Sequence, residues 1–182
     1  MCIEIPLLET IRAKGGTKMT AQLTQKERTL LQDLQKHEEV CIKKYQENAA
    51  KAKDPALKQL FLQHADHEQM HYQTLAQILN GQTPTMNQPA QQGQQQGGNQ
   101  QQMGQQQNFT GGQVNLGNEQ DAYLCNDLLM AEKYVSGTYD TAIFEFRDSN
   151  IRQALNHIQK EEQQHGEDIY KYMASHGMYN PQ

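Results

Sequence analysis

Two tetrapeptides of the form Glu-x-x-His, Glu68 to His71 and Glu162 to His165, hold the side chains best placed to do chemistry in this chain. On a helix, residues three apart share one face about one turn apart, so a carboxylate and an imidazole can reach a single cation. Two more glutamates, Glu38 and Glu132, belong with them. All six recur in an ungapped internal repeat, in which residues 33–79 align with 127–173 at a constant offset of 94. Nine of 47 positions are identical: Asp33/Asp127, Leu34/Leu128, Glu38/Glu132, Tyr45/Tyr139, Asp54/Asp148, Gln59/Gln153, Glu68/Glu162, Gln69/Gln163 and His71/His165. The number is small, but the matches fall on helix caps and on every candidate ligand.

Steps of three and four residues place these groups in apolar stripes. They read Leu31, Leu34, Glu38, Cys41, Tyr45, Asn48, Ala52; Leu57, Leu60, His64, Glu68, His71, Leu75, Ile78; Cys125, Leu128, Glu132, Val135, Tyr139, Ala142, Phe146; and Ile151, Leu155, Ile158, Glu162, His165, Ile169, Tyr172. A bare carboxylate in a core costs several kcal/mol. Two divalent cations would neutralise four of them. A metal-free polar core of protonated or hydrogen-bonded Glu–His pairs is the competing reading. One Glu from each of two helices, with Glu-x-x-His from each of the other two, is the donor set of di-iron and di-manganese carboxylate bundles. The expected metal ligands are therefore Glu38, Glu68, His71, Glu132, Glu162 and His165, around two divalent ions, Fe or Mn. Tyr45, Tyr139 and His64 lie near enough to act behind them. Packing is the favoured role for the tyrosines, and His64, whose repeat counterpart is Ile158, reads as a stray core histidine. His67, Glu39, Glu161 and Glu167 are expected to face solvent, and Cys41 to be a small apolar filler.

Four helices must position the ligands. Thr24 and Glu27 form a capping box for the first, which is expected to run to about Lys51. Asp54-Pro55 opens the second, ending near Asn80 with Gly81 as its stop. The third is expected from about Glu119 to Arg147. Asp148 caps the fourth, which ends near Ser175 before His176-Gly177. Each Glu then lies at a similar height, and the expected fold class is all-α: a ferritin-like four-helix bundle of two repeated hairpins. The organisation expected is a tail over 1–22, a first hairpin over 23–80, a Gln/Gly-rich linker over 81–118 and a second hairpin over 119–182, with 23–80 and 119–177 forming one bundle. Residues 1–18 read as an upstream extension before Met19 or as an ordinary tail.

Of 30 glutamines, 14 lie in residues 81–118, together with 8 of the 13 glycines and no charged residue. Such a segment buries too little apolar surface to offset its ordering entropy. A crossover spacer is the favoured role, and self-association the alternative. With 16 basic and 21 acidic residues the net charge is −5, which argues against a nucleic-acid or anionic-membrane partner. No apolar run reaches 18 residues. Three cysteines without a Cys-x-x-C spacing and no convincing signal segment make a reducing compartment the default.

The stretch DLLMAEKYVSGTYDTAIFEFRDSNIRQALNHIQKEEQQHGEDIYKYMASHGMY, from Asp127 to Tyr179, resembles the Coat F family of spore coat proteins from endospore-forming bacteria. The N-terminal hairpin resembles it more distantly, through the repeat. The resemblance implies a ferritin-like bundle made in the mother cell and deposited in the spore coat, with other coat proteins or further copies as partners. Family resemblance does not itself establish metal binding. A non-enzymatic coat component is the favoured function. A di-metal oxidoreductase, oxidising Fe²⁺ or Mn²⁺ or removing peroxide, is the alternative, and it lacks a Cys-x-x-C rubredoxin centre. An iron-storing cage is the weakest of the three.

Overall fold

The computed structural model describes residues 22–84 and 116–179, which form α1 (Gln25–Lys51), α2 (Pro55–Leu79), α3 (Leu116–Ile143) and α4 (Ser149–Ser175). Residues 1–21, most of the expected linker (85–115) and 180–182 lie outside the described residues. No strand occurs among the described residues, and no described helix is long and apolar enough to cross a membrane.

The helix ends follow from local chemistry. Thr24 accepts a hydrogen bond from the Glu27 amide at 3.2 Å, while Glu27 accepts from the Thr24 amide at 2.6 Å. Asp54 and Asp148 cap α2 and α4 through the amides of Ala56 and of Asn150 and Ile151. After α2 and α4 the chain turns at Gly81 and Gly177, with φ of 77° and 67°, a region that only glycine enters without steric cost. These turns satisfy late carbonyls through Gln82 N to Gln77 O and Met178 N to Met173 O. α3 departs from expectation at both ends. It begins at Leu116 rather than near Glu119, and it stops at Ile143 instead of near Arg147. The Arg147 amide is taken by Glu27 at 3.0 Å, and Phe146 turns into the core. Helix continuation would forgo both.

α1 pairs with α2 and α3 with α4 as antiparallel hairpins, and the hairpins meet through α1–α3 and α2–α4. The α1–α3 contact is antiparallel, since Glu27 meets Arg147 while Lys44 and Asn48 meet Asp127. So is α2–α4, where Asp54 meets Tyr172 and His71 meets Glu161. This is the arrangement of a two-fold axis perpendicular to the helices, relating each residue to the one 94 positions on. The end of α2 lies beside the start of α1, with Arg28 Nη1 3.3 Å from the Leu79 carbonyl. The start of α3 lies at the other end, beside Lys51 and Lys53. Residues 85–115 therefore join opposite ends of the bundle.

Most of the four expected stripes are buried. Ala52, Leu60 and Tyr172 are half-buried, and Ala49, Phe61, Ala65, Leu124, Leu129, Ala154 and Met173 add to the interior. The core is in two parts. Leu31, Leu34, Leu75, Ile78, Val135, Ile151, Leu155 and Ile158 fill one end. Leu57, Phe61, Leu124, Leu128, Ile169 and Met173 fill the other. The two-fold axis exchanges these clusters, and the ionisable groups lie between them.

The repeat extends further than its identities. Glu27 and Asp121 are 94 residues apart, and both are about 3 % exposed. Glu27 binds the turn of the second hairpin at the Arg147 amide. Asp121 binds the turn of the first, accepting from the Lys53 and Asp54 amides at 2.8 and 3.0 Å. Each hairpin thus clasps the turn of the other. Burial opposes ionisation of Glu27, but hydrogen bonds from the Arg147 and Thr24 amides hold its pKa at about 2. Replacing Asp121 by Ala strands two backbone donors, so Asp121→Ala should destabilise the bundle by about 1–3 kcal/mol in urea unfolding. An unchanged midpoint would show that the clasp contributes nothing.

Candidate metal centre

The stripes bring all six expected ligands to one level of the bundle. Glu38, Glu68, His71, Glu132, Glu162 and His165 are each no more than 2 % exposed. They fall into two overlapping sets. Donor atoms of Glu38, Glu68, His71 and Glu162 lie within 4.8 Å of one another, and so do those of Glu68, Glu132, Glu162 and His165. The axis converts one set into the other. Glu68 and Glu162 belong to both, while Glu38 with His71, and Glu132 with His165, each belong to one.

The hairpins exchange ligands across the axis. His71 Nδ1 lies 3.0 Å from Glu162 Oε1, and His165 Nδ1 lies 3.0 Å from Glu68 Oε1. His71 Nδ1 also lies 3.4 Å from Glu68 Oε2 and 3.7 Å from Glu38 Oε2. Tyr45 donates to Glu132, and Tyr139 donates to Glu38, each from the opposite hairpin. The tyrosines do more than pack: each spends its one hydroxyl proton on one ligand oxygen. The other oxygens of those two glutamates, Glu38 Oε2 and Glu132 Oε2, have no hydrogen-bond partner, nor does either oxygen of Glu162. Unpaired buried acceptors are costly, and a cation satisfies them.

Protonation is tuned accordingly. Burial, then neighbouring carboxyls, holds Glu68 and Glu132 well above the ordinary carboxylate range, and Glu162 rises to about 7. Glu38 is held lower, because the nearby His71 and Glu68, with the Tyr139 hydroxyl, outweigh its burial. His71 is driven towards the imidazolium by Glu161, Glu162, Glu38 and Glu68 in spite of burial. His165 goes the other way, to about 2, through burial and then the nearby His64, His71 and His67.

This difference exposes where the two halves part. His71 Nε2 meets Glu161 Oε2 at 2.8 Å. At the equivalent place His165 Nε2 meets His67 Nδ1 at 3.1 Å. Residues 67 and 161 are themselves repeat partners. Contrary to the expectation that both face solvent, both are half-buried and in contact with a ligand ring. The signal available in the sequence is their position next to a ligand, one residue off the stripe. His64 is buried at 2 %, with its ring centroid 4.3 Å from that of His165 and neither nitrogen hydrogen-bonded. Burial pushes it down to about 4. Cys41 is buried apolar filler as expected, its thiol pushed up by burial and then by the glutamates. Glu39 and Glu167 are solvent-exposed as expected.

A second asymmetry concerns access. A groove of about 530 Å³ between α3 and α4 is lined by Lys133, Ser136, Gly137, Asp140, Gln163 and Gly166 and reaches Glu132 and Glu162. Its counterpart between α1 and α2 is lined by Glu39, Ile42, Lys43, Gln46, Gln69 and Tyr72, and neither Glu38 nor Glu68 lines it. Lys43 and Tyr72 stand where the second hairpin has Gly137 and Gly166. A Cβ at residue 166 would sit 3.9 Å from the Glu132 Cβ, so the missing side chain lets the groove come up against the buried Glu132.

The fold and this geometry define an all-α bundle with a buried cage of carboxylates and imidazoles able to hold a metal. Residues 120–182, most of the second hairpin, match the family model of the Coat F domain. Comparison with curated proteins and with solved structures finds no match.

The protonation pattern sets the pH response of the metal-free bundle. His64 and His165 have folded values below 6.5, so their stabilising contribution is complete above about pH 7 and is lost on acidification. Glu68, Glu132 and Glu162 have folded values above 4.5, so theirs is complete at low pH and is lost as pH rises through the folded values. From pH 7 to 9 the glutamates govern together with His71, whose folded value stands far above 6.5 so that its contribution also falls as pH rises. The urea midpoint of chelator-treated protein should fall across that window. A constant or rising midpoint would show that the cage ionises without penalty.

Proposed function

We propose that this protein is a structural constituent of the bacterial endospore coat, and that its bundle is ferritin-like and holds two divalent metal ions, Fe or Mn. The observation that carries the metal reading is the pair of symmetry-related donor sets sharing Glu68 and Glu162. In that reading Glu38, Glu68, His71 and Glu162 would hold one ion, and Glu68, Glu132, Glu162 and His165 the other. Carboxylate and imidazole donors suit iron and manganese. The four oxygens without hydrogen-bond partners fit the group, since each is a buried acceptor that a cation could satisfy. Bound there, the ions would supply charge neutralisation and one-electron chemistry towards oxygen or peroxide. Tyr45 and Tyr139 hold one oxygen each of Glu132 and Glu38 and so fix the rotamers of those ligands. The coat reading rests on the domain match in the second hairpin. Its partners would be other coat proteins or further copies of this chain.

The groove favours a second reading, a di-metal oxidoreductase acting on Fe²⁺, Mn²⁺ or peroxide, because it brings the protein surface up against Glu132 and Glu162 on one side of the cage. Protein reconstituted with Fe²⁺ or Mn²⁺ should hold about two equivalents by elemental analysis. Glu68→Ala with Glu162→Ala should reduce this below about 0.2 equivalents while helicity is kept, since removing buried charge can stabilise an apo bundle. Unaltered stoichiometry in the double variant would refute the ligand assignment. Tagged protein that never fractionates with spore coats would refute the coat role. The readings separate on Gly166→Tyr, which gives the open groove the side chain that its repeat partner Tyr72 places over the closed one. If the centre is catalytic, this variant should lose peroxide consumption with its metal content intact.

A further inference from the structure

Two histidines gathered beside His165, His64 and His67, belong to no part of the symmetric cage. His64 and His67 have Ile158 and Glu161 as repeat partners, so this cluster exists in one half of the molecule alone. Nitrogens of His64, His67 and His165 lie within 4.8 Å of one another. The His165 ring is set for a second role. Its Nδ1 lies 3.0 Å from Glu68 Oε1, and with the proton there Nε2 carries a lone pair facing away from the cage. A histidine that donates one N–H to a carboxylate while its other nitrogen faces a cation is the usual orientation of a metal ligand. His67 Nδ1 stands 3.1 Å from that Nε2. Two nitrogens so spaced, each about 2.05 Å from one ion, subtend about 98°, a normal coordination angle. His64 is 2 % exposed and neither of its ring nitrogens has a hydrogen-bond partner. The half-buried His67 gives the cluster an edge towards solvent.

We propose that His64, His67 and His165 form a separate all-nitrogen site for one borderline divalent transition ion of the Cu²⁺ and Zn²⁺ type. Three imidazoles favour such ions over the hard cations that carboxylates hold. The site does not depend on the carboxylate cage being loaded. It competes with the adjacent cage position, because a neutral His165 offers one lone pair and can turn it inwards or outwards but not both ways.

The test is Cu²⁺ alone, one equivalent, added to chelator-stripped full-length protein and read by electron paramagnetic resonance. Three imidazole nitrogens should appear in the hyperfine pattern. His64→Ile with His67→Gln, a double variant that gives position 64 the side chain of its repeat partner Ile158, should weaken Cu²⁺ binding at least a hundredfold with helicity retained. Glu38→Gln with Glu132→Gln should leave the Cu²⁺ signal unchanged, whatever it does to Fe or Mn content. An oxygen-dominated Cu²⁺ signal in the wild type, equal Cu²⁺ affinity in the histidine variant, or loss of the signal in the glutamate variant would each overturn the proposal. If helicity falls in the double variant, His67→Gln alone should reduce the count to two nitrogens, and three would overturn it.

Discussion

Four carboxylic acids and two imidazoles share one dry layer between two apolar clusters, and the rest of the bundle is arranged around that burden. Apolar packing above and below can hold the helices together, but it cannot satisfy the acids. What partners they have come from the opposite hairpin: His71 lies against Glu162, His165 against Glu68, and Tyr45 and Tyr139 donate to Glu132 and Glu38. Each hairpin is incomplete in the same way, and each supplies what the other lacks. The same reciprocity operates at the bundle ends, where Glu27 and Asp121 hold each other's turns. Register between the hairpins is therefore fixed by polar contacts at three levels, and the apolar clusters fill the space between.

Much of this is legible in the residues. The capping box at Thr24, the Asp-led starts at Asp54 and Asp148 and the glycine stops at Gly81 and Gly177 state their chemistry locally, and the helices begin and end there. The gathering of the six ionisable residues follows from spacing, because a stripe that is apolar on both sides of a glutamate puts that glutamate inside. What spacing does not reveal is contact just off the stripe. Glu161 and His67 sit one position before a core residue, where a helix face turns towards solvent, yet long side chains on a crowded interface fold back onto the ligand rings. The end of α3 is hidden for a related reason. Nothing local stops the helix near Ile143; a carboxylate 120 residues away takes the Arg147 amide. Glu27 and Asp121 escape notice as a pair because Glu and Asp are not identical, although their geometry is.

The departures from symmetry are as informative as the symmetry. They collect on four positions: a glycine pair in place of Lys43 and Tyr72, and a histidine pair in place of Ile158 and Glu161. The first opens a path to Glu132 and Glu162 on one side. The second surrounds His165 with imidazole rings while His71 is held by a carboxylate. The two ends of the cage thus differ in access and in charge, although their inner donors are the same.

The exchange of ligands between hairpins makes the polypeptide a dimer in all but covalent terms. Each hairpin brings to the inner layer what a second copy of itself, placed about the two-fold axis, would bring. The halves differ on the outside, where one presents the open face and the other the closed one. A lone hairpin remains a fragment with half a clasp and three orphaned ionisable groups, and that shortage of partners is what keeps the halves together.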